Sequence, residues 1–195
     1  MKQTALITGA SRGIGAALAE TFARAGYQLT LCCQHSEEKL MTLSKRLQEQ
    51  YHTPVLVRIG NVGDYAFVKT MVDATLEAFG AIDVLINNAG ISYIGLLTDM
   101  SIEDWNRIVA TNLTSVFSTC RCVVPSMVHN KRGRIINISS VWGNVGASCE
   151  VAYSACKGGI NSFTRALGKE LAPSQITVNA IACGVIDTDM NRCFS

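Results

Sequence analysis

Six short runs of β-branched and aliphatic residues alternate along this chain with five stretches of helical periodicity. Strands are expected over 4–8, 28–33, 55–59, 82–87, 134–139 and 176–182. Helices are expected from the glycine loop to about 25, then over 37–51, 64–79, 101–129 and 151–172. Gly26 and Gly80 stand where helix C-caps fall. Ser101, with Asp104 three residues on, forms a capping box opening 101–129, and Pro125 is expected to bend or interrupt that stretch. Such alternation builds βαβ units, hence a parallel sheet covered on both faces. Right-handed crossovers make it a doubly wound α/β sheet. With 195 residues and no repeat, low-complexity tract or linker composition, 1–195 reads as a single domain.

Composition narrows the function. At 48% hydrophobic and 16% charged residues, the chain is too apolar to be disordered. Against 15 Asp+Glu stand 17 Lys+Arg, a net charge of +2 that leaves no footprint for nucleic acid. The cluster Lys131, Arg132 and Arg134 reads as a solvated loop. No apolar run approaches the ~18 residues of a membrane span. Lys2 leads straight into the first strand with no room for a signal peptide, so a cytoplasmic location is expected. The eight cysteines form no C-x-x-C pair, and His35, His52 and His129 are not spaced with them as metal ligands. They are expected to be reduced thiols acting as small hydrophobes, with no metal bound.

Strand one runs into Thr8-Gly9-Ala10-Ser11-Arg12-Gly13-Ile14-Gly15. Glycines between a strand and a helix let the backbone turn tightly and approach a pyrophosphate, which the helix N-terminus attracts. The spacing is G-x-x-x-G-x-G, so the loop points to a dinucleotide by its position more than by its pattern. An NAD site would carry a carboxylate after strand two, but Cys32-Cys33-Gln34-His35-Ser36 offers none before Glu37. Arg12 either faces a 2′-phosphate or points into solvent. The first alternative favours NADPH/NADP as cofactor.

Tyr153 and Lys157 lie four residues apart on one helical face. A phenol near pKa 10 exchanges protons poorly at neutral pH, and a neighbouring ammonium is expected to lower that value. Ser140, thirteen residues earlier, follows the fifth strand at the carboxyl edge of the sheet, where open α/β sheets bind ligands. Alone, it reads as a turn or cap residue before a catalytic one.

Thr8–Gly15, Asn87-Asn88-Ala89-Gly90, Asn112, Ser140 and the pair Tyr153 and Lys157 together resemble the short-chain dehydrogenase/reductase family, in order and spacing, across essentially the whole chain. The resemblance implies a Rossmann fold and an NADP-dependent oxidoreductase. It makes Tyr153 the proton donor to a carbonyl, Ser140 its hydrogen-bonding partner, and Lys157 the residue that binds the nicotinamide ribose and tunes Tyr153. Asn112 would hold a water linking Lys157 to solvent. Gly9, Ser11, Arg12, Gly13, Ile14 and Gly15 would cradle the phosphates; Asn88, Ala89 and Gly90 would line the adenosine ribose. Gly184, Ile186 and Thr188 would meet the nicotinamide half.

Three features depart from the family pattern. Asn61-Val62 stands where an Asp often touches adenine. Cys183-Gly184 replaces Pro-Gly after strand six. The sheet is expected to be C-terminally shortened, its last edge strand missing, so that strand six becomes an edge. Within the family, Ile135–Ser140 and Thr188-Asp189-Met190 look most like the bacterial 3-oxoacyl-acyl-carrier-protein reductases of fatty acid biosynthesis. Trp142-Gly143 and Gly146–Val151 also resemble a branch that reduces the 5-aminopentanone modification of elongation factor P, where Glu150 is either a contact for an amine or an ordinary acid at a helix start. The implied partners are a small-molecule or carrier-bound carbonyl substrate, acyl carrier protein and a second copy of the chain through helices 101–129 and 151–172, without the family's tetramer. A non-catalytic dinucleotide-binding fragment or module is the competing class; retention of both Tyr153 and Lys157 argues against it.

Overall fold

Thr4-Ala5-Leu6-Ile7 and Val84-Leu85-Ile86-Asn87 have no polar face, and every residue of both runs is buried. Runs of that kind belong at the centre of a sheet covered on both sides. In the computed structural model, which describes residues 2–189, they are its central strands. The sheet contains β1 (Thr4–Ile7), β2 (Gln28–Cys33), β3 (Val55–Ile59), β4 (Val84–Asn87), β5 (Gly133–Ser140) and β6 (Ile176–Cys183). They lie in the order β3-β2-β1-β4-β5-β6, and every pairing is parallel. Among the described residues β6 pairs only with β5 and forms an edge, as the reading expects.

Alternation along the strands divides the core. Leu6, Leu85 and Ile135 face one layer, made by α3 (Tyr65–Phe79), α5 (Ser115–Asn130) and α7 (Val151–Leu171). Ala5, Ile7, Val84 and Ile86 face the other, made by α1 (Gly13–Arg24) and α2 (Glu37–Tyr51). The chain reverses its direction of travel between β1 and β4, so a crevice opens outside their carboxyl ends. Cys32 and Cys120 pack into these layers, where burial pushes both thiols up to about 12. The seven cysteines within the described residues form no disulfide; Met190 and Cys193 lie outside them.

The helical stretch at 101–129 differs from expectation. Its capping box is present: the Asp104 amide donates to Ser101 Oγ at 3.0 Å, and Ser101 Oγ donates to the Asp104 carboxylate at 2.9 Å. It opens α4 (Ile102–Val109), which gives way to a π-helical segment at Ala110–Thr114 before α5. Pro125 does not end the helix, for α5 runs past it to Asn130. The interruption falls instead where Asn112 makes a tertiary contact that the local sequence does not announce. A short α6 (Trp142–Val145) was also not expected. Arg132, read as part of a solvated cluster, pairs at 3.0 Å with buried Asp83, whose carboxylate also accepts from the Thr4 amide at 2.9 Å.

A polar ladder crosses the core beneath the site. Thr119 Oγ1 donates to Asn87 Oδ1 at 2.7 Å, Asn87 Nδ2 to Asn137 Oδ1 at 2.9 Å, and Asn137 Nδ2 to Thr164 Oγ1 at 2.9 Å. It ties α5, β4, β5 and α7 in one register, three residues below Ser140. Asn137→Ala leaves buried donors and acceptors unpaired on both sides. It is expected to lower unfolding free energy by about 1–3 kcal/mol, read from urea midpoints; an unchanged midpoint would show that the ladder contributes nothing.

Candidate active site

β1 ends at Ile7, and the backbone turns through Gly9 at φ +65° into α1. Only glycine fits at two points here. A Cβ on Gly9 would lie 2.8 Å from Ala89 Cα, and one on Gly15 would lie 2.3 Å from the Gly9 carbonyl oxygen. The loop is held against the end of β4 by Asn88, whose Nδ2 donates to the carbonyls of Thr8 at 2.9 Å and Gly9 at 3.0 Å. Thr8 Oγ1 accepts from the Asn88 and Ala89 amides, both at 3.0 Å. No side chain caps the start of α1, so its first N–H groups are left to an external anion. Ile14 packs half-buried beneath them, while Arg12 is exposed.

The adenine and ribose end is less open than expected. Asn61 Oδ1 is engaged by the Gly63 amide at 2.8 Å, and Val62 is buried in the core. The Cys33 thiol feels a hydrogen bond from Ser11, together with Arg12 and Glu37 on opposite electrostatic sides, and burial pushes its pKa up. At the far end Gly184, Ile186 and Thr188 follow β6, with Thr188 Oγ1 donating to the Ile186 carbonyl at 3.4 Å. A Cβ on Gly13 would meet Thr188 Cγ2 at 3.3 Å, so this segment lies over the glycine loop.

Ser140, Tyr153 and Lys157 come together at the carboxyl edge of β5. Ser140 accepts from the Trp142 amide at 3.2 Å, so it serves the turn, and it stands near enough to Tyr153 to act on the phenol. Lys157, 4% exposed, donates to the Ile138 carbonyl at 2.7 Å and lies 5.4 Å from the centre of the Tyr153 ring. Burial drags its pKa down to about 8. The expected lowering of Tyr153 by Lys157 is not seen. Burial pushes the phenol above its ordinary value, Ser140 opposes this, and Glu150 and Cys183 add to the rise.

Asn112 is fully buried, and its amide grips Ile91 at both ends. Oδ1 accepts from the Ile91 amide at 2.8 Å and Nδ2 donates to the Ile91 carbonyl at 2.8 Å. The Asn112 side chain is thus occupied by a backbone, and that grip accompanies the π segment. Gly90 sits where a Cβ would lie 3.4 Å from Asn112 Oδ1 and 3.8 Å from Lys157 Nζ. Ser92 was missed: its hydroxyl donates to Glu150 Oε1 at 2.5 Å across fifty-eight positions, and no spacing signals such a pair.

A glycine cradle at a topological switch point, with a Ser-Tyr-Lys cluster at the same edge, defines a dinucleotide-binding oxidoreductase. The chain belongs to the short-chain dehydrogenase family, whose model matches residues 3–195. It is 37% identical over 195 residues to the uncharacterized oxidoreductase YmfI of Bacillus subtilis (strain 168), covering 100% of this chain and 79% of the relative. It is 41% identical over 191 residues to the 3-oxoacyl-[acyl-carrier-protein] reductase FabG of Escherichia coli (strain K12), covering 98% and 76%. A crystal structure from Sinorhizobium meliloti 1021, described as a short-chain alcohol dehydrogenase, superposes with a TM-score of 0.93 at 32% identity, covering 100% of this chain and 77% of that one. The protein is therefore an NAD(P)-dependent short-chain oxidoreductase, and its glycine cradle and uncapped helix start fit a nicotinamide dinucleotide. No helix among the described residues is long and apolar enough to cross a membrane.

The depressed Lys157 has a consequence for stability. Unfolded, the ammonium holds its proton up to about 10.5; folded, it releases it from about 8. Between those values the unfolded state binds more protons, so Lys157 makes stability rise with pH across that window and fall as pH drops through 8. Subtracting the urea midpoints of Lys157→Met from those of the unaltered protein, measured from pH 8 to 10, is expected to leave a rising difference. A flat difference would refute the buried, readily deprotonated lysine.

Proposed function

We propose that this protein reduces a ketone carbonyl with NADPH, the substrate being a 3-oxoacyl thioester on acyl carrier protein in the cytoplasm. The observation that carries the reading is buried Lys157 held 5.4 Å from the Tyr153 ring, with Ser140 at the same sheet edge that holds the glycine loop. NADPH, when bound, supplies the hydride to the carbonyl carbon. Tyr153 donates its phenolic proton to the carbonyl oxygen, and its raised pKa keeps that proton in place at neutral pH. Ser140 donates a hydrogen bond to the same oxygen and holds it within reach. Lys157 reaches the nicotinamide ribose and draws on a pKa near neutrality to return a proton toward Tyr153. Asn112 acts by holding Ile91 and Gly90 beside that lysine.

Gly9, Ser11, Arg12, Gly13, Ile14 and Gly15 hold the phosphates in this reading. Asn61 and Val62 border the adenine, and Asn88, Ala89 and Gly90 its ribose. Gly184, Ile186 and Thr188 border the nicotinamide. The name of the E. coli relative supports the acyl thioester. A homodimer is proposed through α4, α5 and α7, where Phe117 is 50% exposed on a face that also carries Val128. A second reading, reduction of the 5-aminopentanone group on elongation factor P, is favoured by the Glu150 carboxylate. It is 8% exposed, and no ion pair is formed to it among the described residues.

Tyr153→Phe is expected to lower kcat by about 10²–10⁴-fold while NADPH affinity, followed by fluorescence titration, stays near that of the unaltered protein. Turnover is read by absorbance on a 3-oxoacyl thioester mimic beside an amino-ketone; preference for the latter would move the assignment to the second reading. NADPH binding without turnover on any ketone would refute the reductase. Arg12→Ala is expected to weaken NADPH more than NADH, and equal losses would sink the cofactor choice.

A further inference from the structure

Glu150 stands at the N-cap position of α7 yet does not cap it. Its carboxylate turns away and accepts the Ser92 hydroxyl at 2.5 Å. The residue before it, Cys149, is held at φ +62°, a left-handed conformation that a β-carbon disfavours. In that strained conformation the Cys149 carbonyl accepts from the Gly95 amide at 2.9 Å. Two successive residues thus fasten the segment 92–95 to the start of the helix that carries Tyr153 and Lys157. The fastened segment continues directly from Ile91, which Asn112 grips on the other side. On the helix side, Ser154 Oγ accepts from the Ala147 amide at 3.0 Å and Asn161 Nδ2 donates to Asn144 Oδ1 at 2.9 Å, so the clasp is anchored on packed structure.

We infer that Glu150 and Ser92 are positioning residues. Their clasp, with Cys149 and Gly95, locks the loop after β4 against α7 and so sets how that loop sits beside Lys157 and the Ser140–Tyr153 pair. The inference rests on the ketone-reductase reading for its effect on turnover. The charged or titratable groups around Tyr153 are Glu150 before α7, Lys157 on α7 and Cys183 on β6. Of these Glu150 is both part of the clasp and felt by the phenol. A variant that keeps the hydrogen bond and drops the charge separates the two roles.

Ser92→Ala, Glu150→Ala and Glu150→Gln are made in the full chain. Amide exchange across 92–95 is followed together with kcat and KM in the presence of NADPH. Ser92→Ala and Glu150→Ala are expected to expose the Gly95 region to exchange and to lower kcat about tenfold, with KM for NADPH little changed. Glu150→Gln keeps an oxygen that accepts from Ser92, so it is expected to restore slow exchange and most of kcat. Its alkaline limb is expected to shift to lower pH, because the charge that favours the protonated phenol is gone. Variants that lose melting temperature but turn over at the unaltered rate overturn the inference, as does a Glu150→Gln no better than Glu150→Ala. If the unaltered chain reduces no ketone, the reductase reading fails by itself. The exchange arm still decides the clasp, which is overturned if neither alanine variant loosens 92–95.

Discussion

The contact between the loop after β1 and the end of β4 is the constraint on which the rest of the site depends. Asn88 reaches across to two carbonyls of the glycine loop, and Thr8 returns its hydroxyl to two amides of the β4 loop. Four hydrogen bonds at one crossing leave no room for a side chain at Gly9 or Gly15. The chain thereby obtains, at the point where its sheet reverses direction, a rigid backbone cradle with unmatched amides facing outward. Everything that follows β4, from Gly90 to Ser92, is delivered from that anchored start.

Burial then settles how the acid–base residues behave. Lys157 and Tyr153 share a helical face, and a purely electrostatic view has the ammonium lowering the phenol. The buried setting works the other way on both groups: each is driven toward its neutral form, the lysine by losing a proton and the tyrosine by keeping one. Burial penalises the charged form of each group, which is why both shifts point toward neutrality. The neutral form also suits a proton donor that has to remain loaded until a carbonyl arrives.

Much of this was legible in the sequence. Periodicity revealed all six strands and the parallel order followed from their alternation with helices, because both faces of the sheet demand apolar runs. The meeting of Gly9–Gly15, Ser140, Tyr153 and Lys157 at one sheet edge was legible because each stands at or near the start or end of an element. What escaped reading depends on contacts distant in sequence. Pro125 was a local signal for a break, yet the break lies at Asn112, whose partner is Ile91. Arg132 resembled surface charge until Asp83 was placed beneath it. The pairing of Ser92 with Glu150 carries no pattern at all. Nor did the Lys157 spacing reveal the sign of the Tyr153 shift, since burial is not a property of spacing.

The π segment deserves a geometric reading of its own. An α-helix advances by about 100° per residue, and a turn closed over five residues in place of four slips the helix by one position. Ile108, the buried residue of α4, packs with Ala152 and Cys156 of α7, whereas Val116, Cys120, Val123 and Met127 of α5 face the core beneath the sheet. The capping box at Ser101 therefore sets the angular phase of α4 alone. The phase of α5, and with it the direction in which Phe117 and Val128 point, is keyed to the grip of Asn112 on Ile91. The exposed helix face that carries Phe117 and Val128 and the loop beside Lys157 are thus indexed by one side chain.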